Sequence, residues 1–367
     1  LIGCLSFLWS VNTYHSILTI PFFAAGPILF YLIPNSLRTQ KMVDRLLLII
    51  IMVGALLGVY GILQYRGIDF EFLIDTGITG RRAIMGLFGN VNYLAEFLIL
   101  PIALTIGLIL SRKAVFNPAF LFSALILTGT TLFITFTRGS YLGVAFSIPT
   151  MIFFYYRSSH TPSARGFYKK AIIFFLLLVI IALSVLYIPH PLNKGDTLLG
   201  KLRQRVTIES LLSDSSLLRR VAIWKFTWMM VEDYPLLGSG LGTYNYHTLK
   251  YQAEFFSEGN NRDIYPHRRA VQAHNEYLQL WSELGIVGLL AFLWIIVCYY
   301  YSLFKKLPQM VEKEKAIAIG LAGGVTAVLV DAIFGFPLQL VGSMSLFWVF
   351  VGLTVCQINI SMSKKKN

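Results

Sequence analysis

The sequence predicts an all-α fold: a polytopic bundle of about ten transmembrane helices, interrupted by one long outward-facing segment. Two properties of the 367-residue chain lead there. Hydrophobic residues make up 56% of it and charged residues 13%, with a mean hydropathy of +0.66, which is more apolar surface than a soluble domain of this length can bury. The apolar residues are also gathered into stretches of about 20, the helix length that crosses a hydrocarbon core about 30 Å thick. This composition excludes an ordinary cytosolic enzyme, a nucleic-acid-binding domain and a disordered scaffold. The net charge of +13 is read first as cytoplasmic loops. Cys4, Cys298 and Cys356 lie inside apolar stretches without ligand-like spacing, so neither a disulfide framework nor a zinc site is expected.

In chain order, the run 1–9 starts inside an apolar stretch with no initiating Met and reads as the remainder of a helix whose start lies upstream. It has neither a charged leader nor a cleavage site, so no signal peptide is assigned. Nine further stretches follow at 16–33, 45–63, 91–110, 120–136, 141–156, 171–188, 286–304, 316–334 and 340–358. Alternate spacers are short and basic: Arg38, Lys41 and Arg45, then Arg112 and Lys113, then Arg157 to Lys170, then Lys305 to Lys315, then the tail Lys364 to Lys366. They are placed in the cytoplasm. The other set faces outward, and its members are 64–90, the tight turn 137–140, the long segment 189–273 and 335–339. The chain thus divides into N-terminal membrane helices (1–188, the first truncated), a long periplasmic or extracytoplasmic segment (189–275), and C-terminal membrane helices with a basic cytoplasmic tail (276–367).

The outward spacers carry 15 cations, eleven of them arginine, whereas the cytoplasmic ones carry 16, eleven of them lysine. Long loops translocate whatever their charge, so the topology stands. Lysine is a hydrated point charge, while arginine presents a planar fork of donors that matches phosphate or carboxylate. An outward site for a phosphorylated lipid would use arginine. The plainer reading pairs these arginines with the eight acids of the long segment, such as Glu209, Asp214 and Glu232.

A segment as long as 189–273 is a folded outward domain or a lid. Within it, 217–231 reads LLRRVAIWKFTWMMV, with Trp224 and Trp228 one helical turn apart beside Arg219, Arg220 and Lys225. That pattern predicts an interfacial helix with aromatic rings at headgroup depth. Asp233-Tyr234-Pro235 and the run Gly238-Ser239-Gly240-Leu241-Gly242 stop it. The glycines lack the preceding strand and the Gly-Lys-Ser/Thr of a phosphate loop, so a backbone bend is expected. His274 stands where the segment becomes a helix entering the membrane, with Gly285 and Gly288 deeper, where small residues allow close packing. Such a histidine is an interfacial hydrogen-bonding residue or a catalyst. Arg138, in the tight turn, either snorkels or binds an anion.

These residues resemble the O-antigen ligase and O-antigen polymerase superfamily of polytopic glycosyltransferases. Ligases of that group show His, then Asn/Ser/Gln, nine residues, Gly, two residues and Gly/Thr/Tyr, and His274, Asn275, Gly285 and Gly288 match this throughout. Arg138 to Leu142 matches their Arg-x-x-x-Leu. Arg220 before Trp224 matches an arginine of their long periplasmic segment, with Arg219 as its rival. Gly86-Leu87-Phe88-Gly89-Asn90-Val91-Asn92 and Asp233 to Gly238 are further likenesses. The resemblance covers roughly 81–350 and implies a GT-C-like, inverting glycosyltransferase of the cytoplasmic (inner) membrane with its site facing the periplasm. It implies a donor glycan on undecaprenyl pyrophosphate, an acceptor hydroxyl on lipid A core, a glycan or a protein, and neither metal nor cofactor. His274 would be the catalytic base, Arg138, Arg220 and Arg219 would bind pyrophosphate, and Glu276 and Glu283 are candidates to orient the histidine. No nucleic-acid partner is expected.

Ligase, polymerase and protein O-oligosaccharyltransferase share this architecture and stay open as alternatives. A metal-dependent oligosaccharyltransferase would need outward acids, for which Asp69 and Glu71 are the nearest pair. A lipid or solute transporter would need internal repeats and mid-membrane ionisable residues, whereas Glu96 and Asp331 lie toward helix ends.

Overall fold

Backbone groups in hydrocarbon have no water to bond, so an apolar chain there must satisfy its own N–H and C=O groups, and a helix does so locally. The computed structural model describes residues 2–68, 83–111, 115–158, 215–257 and 269–366. Among them the chain is helical and has no strand. Eleven α-helices follow in order: α1 (Ile2–Leu5), α2 (Thr13–Ser36), α3 (Gln40–Tyr65), α4 (Val91–Ile109), α5 (Pro118–Thr135), α6 (Arg138–Ser158), α7 (Ser215–Asp233), α8 (Tyr244–Ser257), α9 (Glu276–Lys306), α10 (Glu312–Asp331) and α11 (Val341–Lys366). Their starts are chemically marked. Thr39, Asn90 and Asn117 cap α3, α4 and α5 by accepting backbone N–H bonds from Met42, Asn92 and Ala119, the usual remedy for the orphan donors of a helix start.

Six helices among the described residues are long and apolar enough to cross a membrane: α2, α3, α4, α5, α9 with its continuation to Gln309, and α11. The chain is an integral membrane protein. The expected spans at 141–156 and 316–334 are helical, as α6 and α10, yet are not among those six. Their composition gives the reason. Helix α10 opens on Glu312, Lys313, Glu314 and Lys315 and is rich in Gly and Ala, and α6 carries Arg138, Pro149 and Arg157. The expected span 171–188, the pair Asp69 and Glu71, and the long segment before residue 215 lie outside the described residues.

The chain divides into two compact units. One comprises Leu1–Ile28, Leu202–Tyr299 and Ala332–Val341, and the other Leu29–Lys201, Tyr300–Asp331 and Gly342–Asn367. In the second, α10 packs on α4 and α6 through small residues, which let backbones meet. A Cβ on Gly107 would lie 2.2 Å from the Gly320 Cα, and one on Gly143 2.5 Å from the Ala327 carbonyl oxygen. Ion pairs Lys313–Asp44 at 2.7 Å and Lys364–Glu314 at 2.6 Å tie the end that holds the predicted cytoplasmic spacers. Gly107→Val is therefore expected to cost about 1–3 kcal/mol by overpacking, read as a lower thermal midpoint in detergent. Gly129→Ala is the control, since nothing lies within 4 Å of its Cβ, and its midpoint should hold or rise.

In the first unit α7 and α8 form a hairpin around Ile223, Phe226, Met230, Tyr244 and Tyr251. Thr227 and Tyr244 share a buried hydroxyl contact of 2.7 Å. The hydroxyl of Tyr251 donates to Asp233 at 2.6 Å and holds that carboxyl below its ordinary range. Trp224 packs against this core, whereas Trp228 is 44% exposed and meets the Trp281 ring edge-on at 5.3 Å. The two rings expected together at headgroup depth thus have separate roles, because one packs on the hairpin core and the other does not.

Candidate active site

His274 belongs to the short non-helical stretch before α9. Asn275, which follows it, caps that helix: its Oδ1 accepts from Leu278 N at 3.0 Å. The second position of the histidine motif therefore has a local reason to be Asn or Ser. His274 itself has φ 51°, a left-handed backbone that His adopts more readily than bulky residues do. Its neighbours are fixed on both sides. Ala273 N donates to Gln279 Oε1 at 3.0 Å, and Glu276 N donates to the Ala332 carbonyl at 2.8 Å. The imidazole packs edge-on against Phe336, with ring centroids 5.0 Å apart.

The electrostatics single this histidine out. Burial is the main cause that lowers its pKa, followed by the positive charges of Arg220 and Arg219, and together they push it down to about 4. Its ring is thus neutral at pH 7 and carries a free lone pair, the form that accepts a proton. Arg219 and Arg220 are partly buried on α7. The first unit therefore brings His274, Arg219, Arg220, Glu276 and Glu283 together, and the two guanidinium charges bear on the imidazole.

The carboxylates have partners of their own. Glu276 is buried, with Oε1 accepting from Gln339 Nε2 at 2.9 Å. Glu283 accepts from Gly242 N at 2.7 Å through Oε2 and from Tyr244 N at 3.2 Å through Oε1. Among the described residues, neither is hydrogen-bonded to His274.

The glycines explain one another. Helix α9 is broken at Gly285 (φ 67°, ψ −175°), a conformation open essentially to glycine alone. The break removes the helical partners of the Ser282 and Glu283 carbonyls, and Ser239 N and Gly240 N take their place at 3.0 and 2.8 Å. In return, Ile286 N donates to the Pro235 carbonyl at 2.9 Å and Val287 N to that of Leu236 at 3.4 Å. Every backbone N–H from Gly238 to Tyr244 is engaged within the protein, which leaves none for a phosphate. The run is a splint for the broken helix. Gly285 and Gly288, expected to serve close packing between helices, act otherwise: Gly285 makes the break, and a Cβ on Gly288 would lie 2.3 Å from the Leu284 Cβ of its own helix.

Arg138 belongs to the other unit. It opens α6 after Phe136, which ends α5 in a left-handed conformation (φ 53°), and its side chain is exposed. Around it, Thr137 Oγ1 donates to Asn92 Oδ1 at 3.2 Å, and Ser140 Oγ donates to Asp331 Oδ1 at 3.0 Å. The Gly86 to Asn92 segment is pinned by Gln64, whose Oε1 accepts from Met85 N and Gly86 N at 3.1 and 2.8 Å.

The sequence reading passed over Gln279, Phe336 and Gln339. A signal for the first existed: Gln279 and Glu283 lie four residues apart, on one face of a helix otherwise apolar enough to span, where buried polar residues call for partners. Residues 123–293, just under half of the chain, match the family model described as O-antigen ligase. That stretch contains Arg138, Arg219, Arg220 and the whole histidine motif. A comparison with curated proteins found no match.

Proposed function

From the premise that this is a membrane protein of the O-antigen ligase family of glycosyltransferases, we propose that it transfers a glycan from undecaprenyl pyrophosphate to an acceptor hydroxyl, with inversion and without a metal. The observation that carries this reading is a neutral, partly buried imidazole with two guanidinium charges acting on it. The acceptor oxygen attacks the anomeric carbon, the bond from that carbon to the pyrophosphate oxygen breaks, and His274 takes the hydroxyl proton as attack proceeds. Undecaprenyl pyrophosphate leaves as an anion. Arg220 and Arg219 offset the charge growing on it, as fixed donors in a partly dehydrated site, while Arg138, in the other unit, is a donor-binding candidate on its motif alone. The binding of the donor works back on the base, because its negative charge offsets the two guanidinium charges that add to burial in lowering the His274 pKa. The site faces the periplasm or exterior across the cytoplasmic membrane, and the acceptor is lipid A core, a growing glycan or a protein.

Liposomes holding the full chain and an undecaprenyl-pyrophosphate-linked oligosaccharide provide the test. The acceptor should gain the glycan, one undecaprenyl pyrophosphate should appear per transfer, and EDTA should leave the rate unchanged. Arg220→Ala should weaken donor binding and slow transfer, each by about tenfold, the value of one charge-assisted hydrogen bond. A variant with the parent's rate and donor KM would remove Arg220 from the site. Movement of the donor across the bilayer with no glycosylated product would make the protein a transporter instead.

A further inference from the structure

Glu283 is 5% exposed and Gln279 4%, and together they build a buried polar connection. Ala273 N donates to Gln279 Oε1 at 3.0 Å, and Gln279 Nε2 donates to Glu283 Oε1 at 3.4 Å. The same carboxylate receives Tyr244 N, the first residue of α8, and Gly242 N. One end of the connection is the residue before His274. The other is the turn between α7 and α8, and α7 carries Arg219 and Arg220. Backbone bonds hold the glycine run on the broken helix apart from this carboxylate, two through Ser239 N and Gly240 N and two more through the carbonyls of Pro235 and Leu236 just before the run. What the side chains add is a fixed distance between the histidine segment and the α7–α8 hairpin.

We propose that Glu283, acting through Gln279, is a positioning residue for glycan transfer, which sets where the imidazole of His274 stands relative to the guanidiniums of α7. The proposal rests on the transfer reading given above. Two acceptor oxygens suit the position because all three groups that meet them are N–H donors. An amide there would turn an NH₂ group toward one of those donors, so a substitution that preserves shape still breaks the connection.

The charged groups that act on His274 are Arg220 and Arg219, from α7. Phe336 brings only an uncharged ring, and Glu276 is engaged with Gln339. If Glu283 and Gln279 hold the hairpin against the histidine, loosening them lets the guanidiniums move away, and the imidazole pKa then rises toward its ordinary value. A purely structural role would lower the amount of active protein without moving that titration.

The experiment compares the parent, Glu283→Gln, Gln279→Met and His274→Ala, each full-length in liposomes with an undecaprenyl-pyrophosphate-linked oligosaccharide. Glu283→Gln and Gln279→Met should lower turnover about 10- to 100-fold, as a misplaced reacting group does, with donor KM unchanged within about threefold. The acid limb of kcat/KM should move to higher pH in both. Parent turnover in these two variants, slow turnover with an unmoved acid limb, or a raised donor KM at parent turnover would each overturn the positioning role. Should Glu283→Gln fail to accumulate, Gln279→Met decides alone, because it leaves both loop contacts of Glu283 in place. Retained transfer by His274→Ala would instead bring down the underlying reading.

Discussion

Replacing His274 by alanine is expected to reduce transfer by about 10²–10⁴-fold, the range over which a positioned acid–base group accelerates a reaction, while leaving donor retention close to that of the parent. The two effects separate because the imidazole is neutral at pH 7 and contributes no charge to holding a pyrophosphate. The side chain meets Phe336 edge-on and, among the described residues, no hydrogen bond to it is formed, so removing it forfeits ring packing only, and the thermal midpoint in detergent is read beside the rate. Arg220→Ala serves as the counterpart, since a fixed positive charge serves both donor binding and the departing anion. Turnover of His274→Ala at the parent rate would transfer the base role elsewhere.

The same residue sets a pH signature whose sign can be worked out. In the free protein the imidazole is pushed down to about 4, first by burial and then by Arg220 and Arg219. The base is unprotonated above that value, so kcat/KM should stay flat as pH falls through 6 and decline only as pH approaches the shifted pKa. With donor bound, the pyrophosphate offsets the guanidinium charges and the imidazole pKa rises. The acid limb of kcat should therefore lie at higher pH than that of kcat/KM, since the first reports the complex and the second the free enzyme. Acid limbs that coincide near 6.5 would show that neither burial nor the arginines act on the proposed base, His274.

Much of this architecture can be read without coordinates, and the reason is the solvent. Hydrocarbon imposes length and apolarity together, so α2 to α5, α9 and α11 stand out in sequence as uninterrupted stretches. Helices α6 and α10 mark the limit of that rule. A helix packed among other helices needs small residues more than apolar ones, and α10 meets Gly107 of α4 through Gly320. His274, Arg219 and Arg220 were singled out by their motifs, whereas the capping of α9 by Asn275 was not read from the sequence. Nor was the pairing of Gly238 to Gly242 with the break at Gly285. The two runs are more than 40 residues apart, and no local periodicity announces that two backbones will exchange hydrogen bonds. Trp224 and Trp228 teach the same lesson from a helix face, because one turn of separation predicts a shared side but not which neighbour covers it.

The break at Gly285 carries the other large expected effect. Gly285→Ala should prevent the protein from accumulating in membranes, or lower its thermal midpoint to the edge of detection, a cost above about 4 kcal/mol. Two causes act at once. The backbone angles of φ 67° and ψ −175° exclude a side chain on conformational grounds alone. In addition, the new Cβ would stand 2.0 Å from the Leu236 carbonyl oxygen, an atom that cannot step aside because that same carbonyl accepts the hydrogen bond of Val287 N. Straightening α9 is no escape. A continuous helix would withdraw the Ser282 and Glu283 carbonyls from Ser239 N and Gly240 N, and the glycine run would lose its main anchor. Gly288→Ala should cost less, since its φ is not positive and only the crowding of the Leu284 Cβ at 2.3 Å opposes the new methyl. Quantifying both variants in membranes, with thermal midpoints in detergent, checks the order. Equal behaviour of Gly285→Ala and the parent would mean that α9 runs unbroken, and the account of the histidine segment and the glycine run as one assembly would fall with it.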